Sequence, residues 1–164
     1  MFTLDPQLQK DTIAIASLPL CELLLMNDAN YPWLILVPRR EGARELLELS
    51  AEDQLQFLAE SNAISRLLQT QFSAEKLNIA ALGNVVAQLH IHHVARFAGD
   101  AVWPKPIWGA MPAVAYQQEA LAEVIELIYG SLAMDSGLEV DWSEGEGEPF
   151  KCWGWFYNSG WLFF

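Results

Sequence analysis

Gln88-Leu89-His90-Ile91-His92-His93-Val94-Ala95-Arg96 holds all three histidines of the chain. His90 and His92 alternate with apolar residues at period two. In a strand this spacing puts Gln88, His90, His92 and Arg96 on one face, while Leu89, Ile91 and His93 point the other way. Two imidazoles between an amide and a guanidinium make a reactive surface, which a core strand does not usually present.

Outward from this stretch, the pattern alternates between strands and helices. Leu77–Leu82 reads as a neighbouring strand, and Gly83-Asn84 breaks or bends the sheet between the two. Upstream, Ser50-Ala51-Glu52-Asp53 resembles a capping box with Asp in the last place. It opens an amphipathic helix whose apolar stripe is Leu55, Leu58, Ile64, Leu67, Leu68 and Phe72, with Glu52, Asp53, Glu60 and Arg66 mostly between. Before it, Leu20–Asn27 and Trp33–Pro38 are apolar runs separated by Asp28-Ala29-Asn30-Tyr31-Pro32, whose composition is that of a turn; they read as an antiparallel pair. Ile13–Ile15 reads as a further short strand.

Downstream, Trp103-Pro104-Lys105-Pro106-Ile107-Trp108-Gly109 reads as a loop because of its two prolines. Val114–Met134 reads as a second helix, with Leu121, Val124, Ile125 and Ile128 as its stripe and Pro112 near its start. Trp142–Pro149 is acidic and Gly-rich, hence a linker. The aromatic segment Phe150–Phe164 is expected to fold back on the core or to cover a partner subunit. The chain thus divides into a domain at 1–136 and a linker with an aromatic tail at 137–164. The fold class is α+β: a mostly antiparallel sheet of about five strands with a long helix packed on it and a C-terminal helix.

The bulk numbers exclude several functions. A chain of 164 residues that is 52% hydrophobic buries a core without staples. A net charge of −12 opposes nucleic-acid binding, which needs basic surface. Only Arg39, Arg40, Arg96 and Lys105 stand out as local positive charge for a phosphorylated ligand. Cys21 and Cys152 lie far apart and form no metal pattern, which suggests free thiols in a reducing compartment. The start, Met1-Phe2-Thr3-Leu4-Asp5-Pro6, lacks the character of a signal peptide, and Ile13–Met26 is too short and too interrupted to span a membrane. These features together read as a cytoplasmic protein without a membrane partner.

Three chemistries compete for the histidines. They are satisfied surface or strand-end residues, or they supply two ligands to zinc or iron, or they attack phosphorus. The metal reading needs a third ligand, for which Asp28, Glu41 and Asp100 are unmarked candidates. In the third reading a neutral imidazole with one nitrogen pinned as N–H offers the other as a nucleophile near neutral pH. Its neighbours then donate hydrogen bonds to the phosphate oxygens.

The stretch from Leu82 to Arg96 resembles the motif of the histidine triad family of nucleotide hydrolases and transferases, His-φ-His-φ-His-φ-φ with φ apolar. The lead-in Gly83-Asn84-Val85-Val86 resembles that family's Gly-(Gln or Asn)-x-Val. Trp33-Leu34-Ile35-Leu36-Val37-Pro38-Arg39-Arg40 resembles its apolar strand ending in Val/Ile-Pro-(Lys/Arg), and Trp103-Pro104 resembles a Trp-Pro of one branch. The likeness covers roughly residues 12 to 109. Gln88 stands where the family has its first histidine; His90 takes the second place and His92 the third.

The resemblance implies hydrolysis or transfer at a nucleotide α-phosphate, with His90 as nucleophile, His92 on the phosphate, and neither cofactor nor metal in the chemical step. It implies a homodimer as well. Asn84 matches a position that contacts phosphate or ribose, and the strands around Leu25–Asn27 and Leu34–Leu36 would line the pocket. Asn27 and Asp28 are candidates for ribose hydroxyls, Arg39, Arg40 and Arg96 for phosphates, and Trp103 and Trp108 for the base. A turn explains Asn27 and Asp28 equally well, core or dimer packing explains Trp103 and Trp108 at least as well, and at least one of Arg39 and Arg40 reads as a solvated strand-end charge. Glutamine at 88 forms hydrogen bonds but cannot act as acid or base. His93 stands at a usually apolar place, so catalysis is expected to survive its loss more readily than the loss of His90.

Overall fold

The computed structural model describes residues 2–135 and 137–141. Asp5 accepts a hydrogen bond from the Gln7 N–H and Pro6 takes the first helical position, which starts α1 at Pro6–Asp11. Three strands follow, β1 at Thr12–Ser17, β2 at Cys21–Met26 and β3 at Trp33–Pro38. After a short 3-10 turn at Leu46–Glu48, α2 spans Ala51–Gln71 and ends before β4 at Lys76–Ala80. The chain then runs without regular structure to β5 at Ile91–Arg96, and α3 at Gln118–Asp135 closes the order. The five strands form one antiparallel sheet in the order β1-β2-β3-β5-β4.

The two faces of the sheet bury different side chains. On one, Leu23, Leu25, Leu34, Leu36, Ile91 and Ala95 pack under Phe57, Ile64, Leu67 and Leu68 of α2 and Ile125, Ile128 and Leu132 of α3. On the other, Leu24, Trp33, Ile35, Val37 and Val94 pack with Leu8 of α1, Tyr31 and Ile107. A sheet covered on both faces needs continuous apolar strands, and β3 is buried at all six positions. Each fully buried Leu or Ile contributes roughly 1.5–3 kcal/mol.

The expected α+β class and five-strand sheet are what the fold shows. Three local expectations need correction. The His stretch enters the ladder only at Ile91, so Gln88, Leu89 and His90 precede the strand. Helix α1 precedes the first expected strand, in a stretch to which no element was assigned, and α3 begins at Gln118 rather than Val114, because segment 112–116 is held by β2–β3 turn residues. On α2, Leu55 and Leu58 are exposed, while Glu60 is fully buried. The Glu60 carboxylate accepts the backbone N–H groups of Leu20 and Cys21 at 2.7 and 3.0 Å, so burial follows from its partners.

The chain beyond 136 also touches the domain. Ser17 and Asp141 exchange two backbone hydrogen bonds of 2.8 Å, and Leu138 and Val140 pack against the core. Trp142–Pro149 and Phe150–Phe164 lie outside the described residues. Among the described residues no helix is long and apolar enough to cross a membrane.

Candidate active site

On the sheet face opposite α2, side chains from four parts of the chain line a cavity of about 420 Å³. Helix α1 and the start of β1 supply Gln7, Leu8, Asp11 and Thr12. Strands β2 and β3 supply Met26, Trp33 and Ile35. The segment before β5 supplies Leu82, Gly83, Asn84, Val85, Val86 and His90, with His92 from β5 and Trp108 from the following loop. Gly83 has φ +66°, a conformation that glycine adopts without strain and that folds this segment against the cavity. The volume is in the range of small-molecule sites.

The alternation expected around His92 holds. His90 and His92 share the cavity face with ring centroids 5.0 Å apart, edge to face. His93 pairs with Leu34 across the ladder and turns toward α2, where its Nε2 lies 2.7 Å from Ser61 Oγ.

Fixed partners set the tautomer of each ring. His90 Nδ1 lies 2.7 Å from the Gln88 carbonyl oxygen, which only accepts. Nδ1 therefore carries the proton, and Nε2 of the neutral ring keeps its lone pair. The Trp33 indole, a donor only, gives its N–H to His92 Nδ1 at 3.0 Å. In neutral His92 the proton therefore sits on Nε2. His93 Nδ1 faces the Ile91 carbonyl at 3.2 Å, so its Nε2 accepts the Ser61 hydroxyl proton. Burial, with the His90 and His93 charges adding to it, lowers the His92 pKa to about 4. Burial, against a smaller opposing effect of the Ile91 carbonyl, does the same to His93. One cavity thus holds a lone pair on His90 and an N–H donor on His92.

The other expected site residues divide. Asn84 lines the cavity. Gln88 does not; its Oε1 accepts the Asp5 N–H at 2.9 Å and its Nε2 donates to the Thr3 carbonyl at 2.9 Å. Its side chain anchors the N-terminal segment. Asn27 Oδ1 accepts the Tyr116 N–H, and Asp28 Oδ1 accepts Val114 N–H, Asn30 N–H and the Asn30 amide. Both hold segment 112–116 against the β2–β3 turn. Arg39 pairs with Glu22 at 3.1 Å and donates to the carbonyls of Leu18, Pro19 and Cys21, in a cleft apart from the histidines. Arg40 makes two hydrogen bonds to Asp53. Arg96 is on the histidine face but turned into the fold, bound to Asp100, Asn78 and the Lys105 carbonyl. Trp103 stacks on the Arg96 guanidinium at 5.7 Å, away from the cavity lining.

Trp33, through its contact with His92, and α1 are the parts of the cavity that the sequence reading missed. Asp5-Pro6 carried the helix-start signal for α1. A buried indole on a strand needs an acceptor, which pointed to a polar partner for Trp33. The Trp108 indole N–H is buried with no acceptor among the described residues. No cluster of three or more His, Cys, Asp or Glu able to hold a metal ion occurs among them either.

The sheet order, the paired histidines and the glycine-led segment before them define a histidine triad architecture. The HIT domain profile matches residues 7–99, and the chain belongs to that family. A histidine triad protein of Marinobacter aquaeolei VT8 is 46% identical, covering 81% of this chain and 97% of that one with TM-score 0.79. One from Bradyrhizobium japonicum is 45% identical over 79% of this chain and 97% of that one, TM-score 0.78. A third, from Sinorhizobium meliloti 1021, is 44% identical over 80% and 98%, TM-score 0.78. Comparison with curated proteins returns no match. Family membership supports a nucleotide-binding or a hydrolase or transferase role.

Proposed function

We propose that this protein hydrolyses or transfers at the α-phosphate of a nucleotide through a covalent nucleotidyl-His90 intermediate, with dinucleoside polyphosphates or nucleoside phosphoramidates as substrate types. The observation that carries this reading is the Nδ1 contact of His90 with the Gln88 carbonyl, which leaves Nε2 as the free nitrogen of a cavity-lining ring. A neutral imidazole so pinned attacks phosphorus without first losing a proton. His92 Nε2–H then donates to a phosphate oxygen as charge shifts onto it. Asn84 is the third polar group placed to hold the phosphate or ribose, and the apolar lining from Leu8, Met26, Ile35 and Trp108 suits a nucleoside. Gln88 serves through its backbone carbonyl and its hold on the N-terminal segment.

The test uses a dinucleoside polyphosphate and a nucleoside phosphoramidate, each with and without chelator. Turnover of at least one of the two that survives chelation and falls by about a thousandfold in His90→Ala, with an acid-trapped nucleotide adduct on the wild-type chain only, is the expected result. Binding without turnover makes the protein a noncatalytic nucleotide module. Activity lost to chelator and restored by zinc assigns His90 and His92 to a metal. The homodimer belongs to this proposal too; β4 is an edge strand that pairs only with β5 among the described residues, and light scattering in solution reads the mass.

A further inference from the structure

We infer that Trp33 locks His92 as a neutral hydrogen-bond donor, so that the site stabilises charge on phosphorus but delivers no proton to the leaving group. The substrates are then nucleotides whose α-phosphate carries a group that departs as a stable oxyanion, such as phosphate, pyrophosphate, sulfate or carboxylate. Amines and alkoxides, which need a proton to leave, are excluded. This inference rests on the nucleotidyl-transfer reading and narrows it to one leaving-group class.

Three contacts carry the argument. The Trp33 indole N–H occupies His92 Nδ1 at 3.0 Å in a buried contact. An imidazolium has N–H on both nitrogens, so a proton arriving at Nδ1 would face the indole N–H. To act as an acid, His92 must break that bond, and its charged form must be accommodated in a buried ring. His90 has Nδ1–H committed to the Gln88 carbonyl and Nε2 committed to phosphorus. The Gln88 side chain is bound to Thr3 and Asp5 and carries no titratable proton. Asp11, the remaining titratable group on the cavity wall, follows Gln7 on α1 and adjoins β1. Strand spacing places β1 three strands, about 14 Å, from β5.

The chemical step balances without an acid. The His90 Nε2 lone pair forms the N–P bond, and the P–X bond breaks with its electron pair leaving on X as an anion. Water then attacks phosphorus, the N–P pair returns to Nε2, and the water proton goes to solvent. The products are a nucleoside monophosphate, X⁻ and a proton.

Two measurements test this. The first is ¹⁵N NMR of the full chain with labelled histidine, without substrate. His92 is expected to show a protonated Nε2 and a bare Nδ1 at pH 7, and Trp33→Phe to shift it toward a mixture of tautomers. A His92 protonated at Nδ1 in the wild type overturns the lock. The second is kcat/KM for one nucleoside 5′-phosphate carrying pyrophosphate, sulfate, alkyl alcohol or amine as leaving group, with chelator present. General acids contribute about a hundredfold or more, so the wild type is expected to turn over the amine and alcohol esters at least about a hundredfold more slowly than the oxyanion esters. In Trp33→Phe that gap narrows only as the pH falls toward 4, where burial no longer keeps His92 neutral and its freed Nδ1 takes a second proton, while the oxyanion esters slow.

Equal rates across the wild-type series overturn the inference yet leave the nucleotidyl-His90 reading intact. No turnover of any member, with no adduct on His90, removes that reading and this one with it. Should Trp33→Phe fail to fold, the wild-type tautomer and the wild-type leaving-group gap decide the matter.

Discussion

Arg96 spends its guanidinium inside the fold. It is 1% exposed, bound twice to Asp100 at 2.7 and 3.0 Å, and sandwiched near the rings of Tyr31 and Trp103 at 5.9 and 5.7 Å. The hydrogen bonds from Arg96 hold the Asp100 carboxyl below the usual carboxylate range. Strand parity placed Arg96 on the histidine face, and that face is correct. Parity gives direction but not partner, and Asp100 is four residues on, beyond the end of the strand, where no period announces it. The same limit applies to Gln88, Asn27 and Arg39, each placed by motif or charge and each bound by backbone groups that the sequence does not mark. Removing Arg96 leaves a buried carboxylate unpaired, so Arg96→Leu is expected to destabilise the fold by about 3 kcal/mol, read as a lowered urea midpoint. Arg96→Lys is expected to recover little of it, because one ammonium cannot replace a fork that reaches Asp100, Asn78 and Lys105 together. Full stability in Arg96→Leu would show that the cluster contributes nothing net.

Helix α2 shows where periodicity misleads at the scale of an element. Its C-terminal half was legible: Ile64, Leu67 and Leu68 are buried as spaced. In its N-terminal half the buried face is Phe57, Glu60 and Ser61, with two of the three polar, and Leu55 and Leu58 are left outside. Glu60 answers to the β1–β2 turn, where Leu20 and Cys21 present N–H groups; Ser61 answers to His93. A hydrophobicity pattern registers a polar residue as outward-facing and has no means to count the backbone donors waiting beneath it. Strand β3 was legible to the residue because burial on both faces makes it continuously apolar. Each buried N–H left without a partner costs about 1–3 kcal/mol, so Glu60→Ala, which orphans two, is expected to cost about 3 kcal/mol in thermal or urea unfolding. Its signature is local: the Leu20 and Cys21 amides exchange faster with deuterium than those of β3. Glu60→Gln, which retains one acceptor oxygen, is expected to fall between. Unchanged exchange at these two amides would remove the carboxylate from the account of why α2 sits where it does.

Across the whole molecule, the class, the strand count and the two-helix cover were legible, because alternating and continuous apolar runs report layers. The contacts of the segment after α3 were not: Leu138 and Val140 pack against the core and Ser17 pairs with Asp141, and an apolar residue in a polar stretch gives no warning of it. The two neutral histidines bind the fold to pH. His92 and His93 are each held near a pKa of about 4, whereas in the unfolded chain a histidine titrates near 6.5. Above that value both states carry neutral rings and the shift costs nothing. As pH falls from 6.5 toward 4 the unfolded chain takes up protons that the folded chain refuses, so stability falls, by at most about 1.4 kcal/mol per pH unit for each ring. Below about 4 the folded rings also protonate and this contribution levels off. Within the window from 6.5 down toward 4 both folded rings are neutral, so the two contributions add. The lowered carboxylates, Asp100 and Asp53, act in the same direction but at lower pH, so the window from 6.5 to 4.5 isolates the histidines. Urea midpoints across that window are therefore expected to decline in the wild type, and His93→Gln, which removes one titrating ring, to reduce the slope by about half. A flat wild-type profile would mean that His92 and His93 protonate without leaving the fold, and burial would then not be what keeps the two rings neutral.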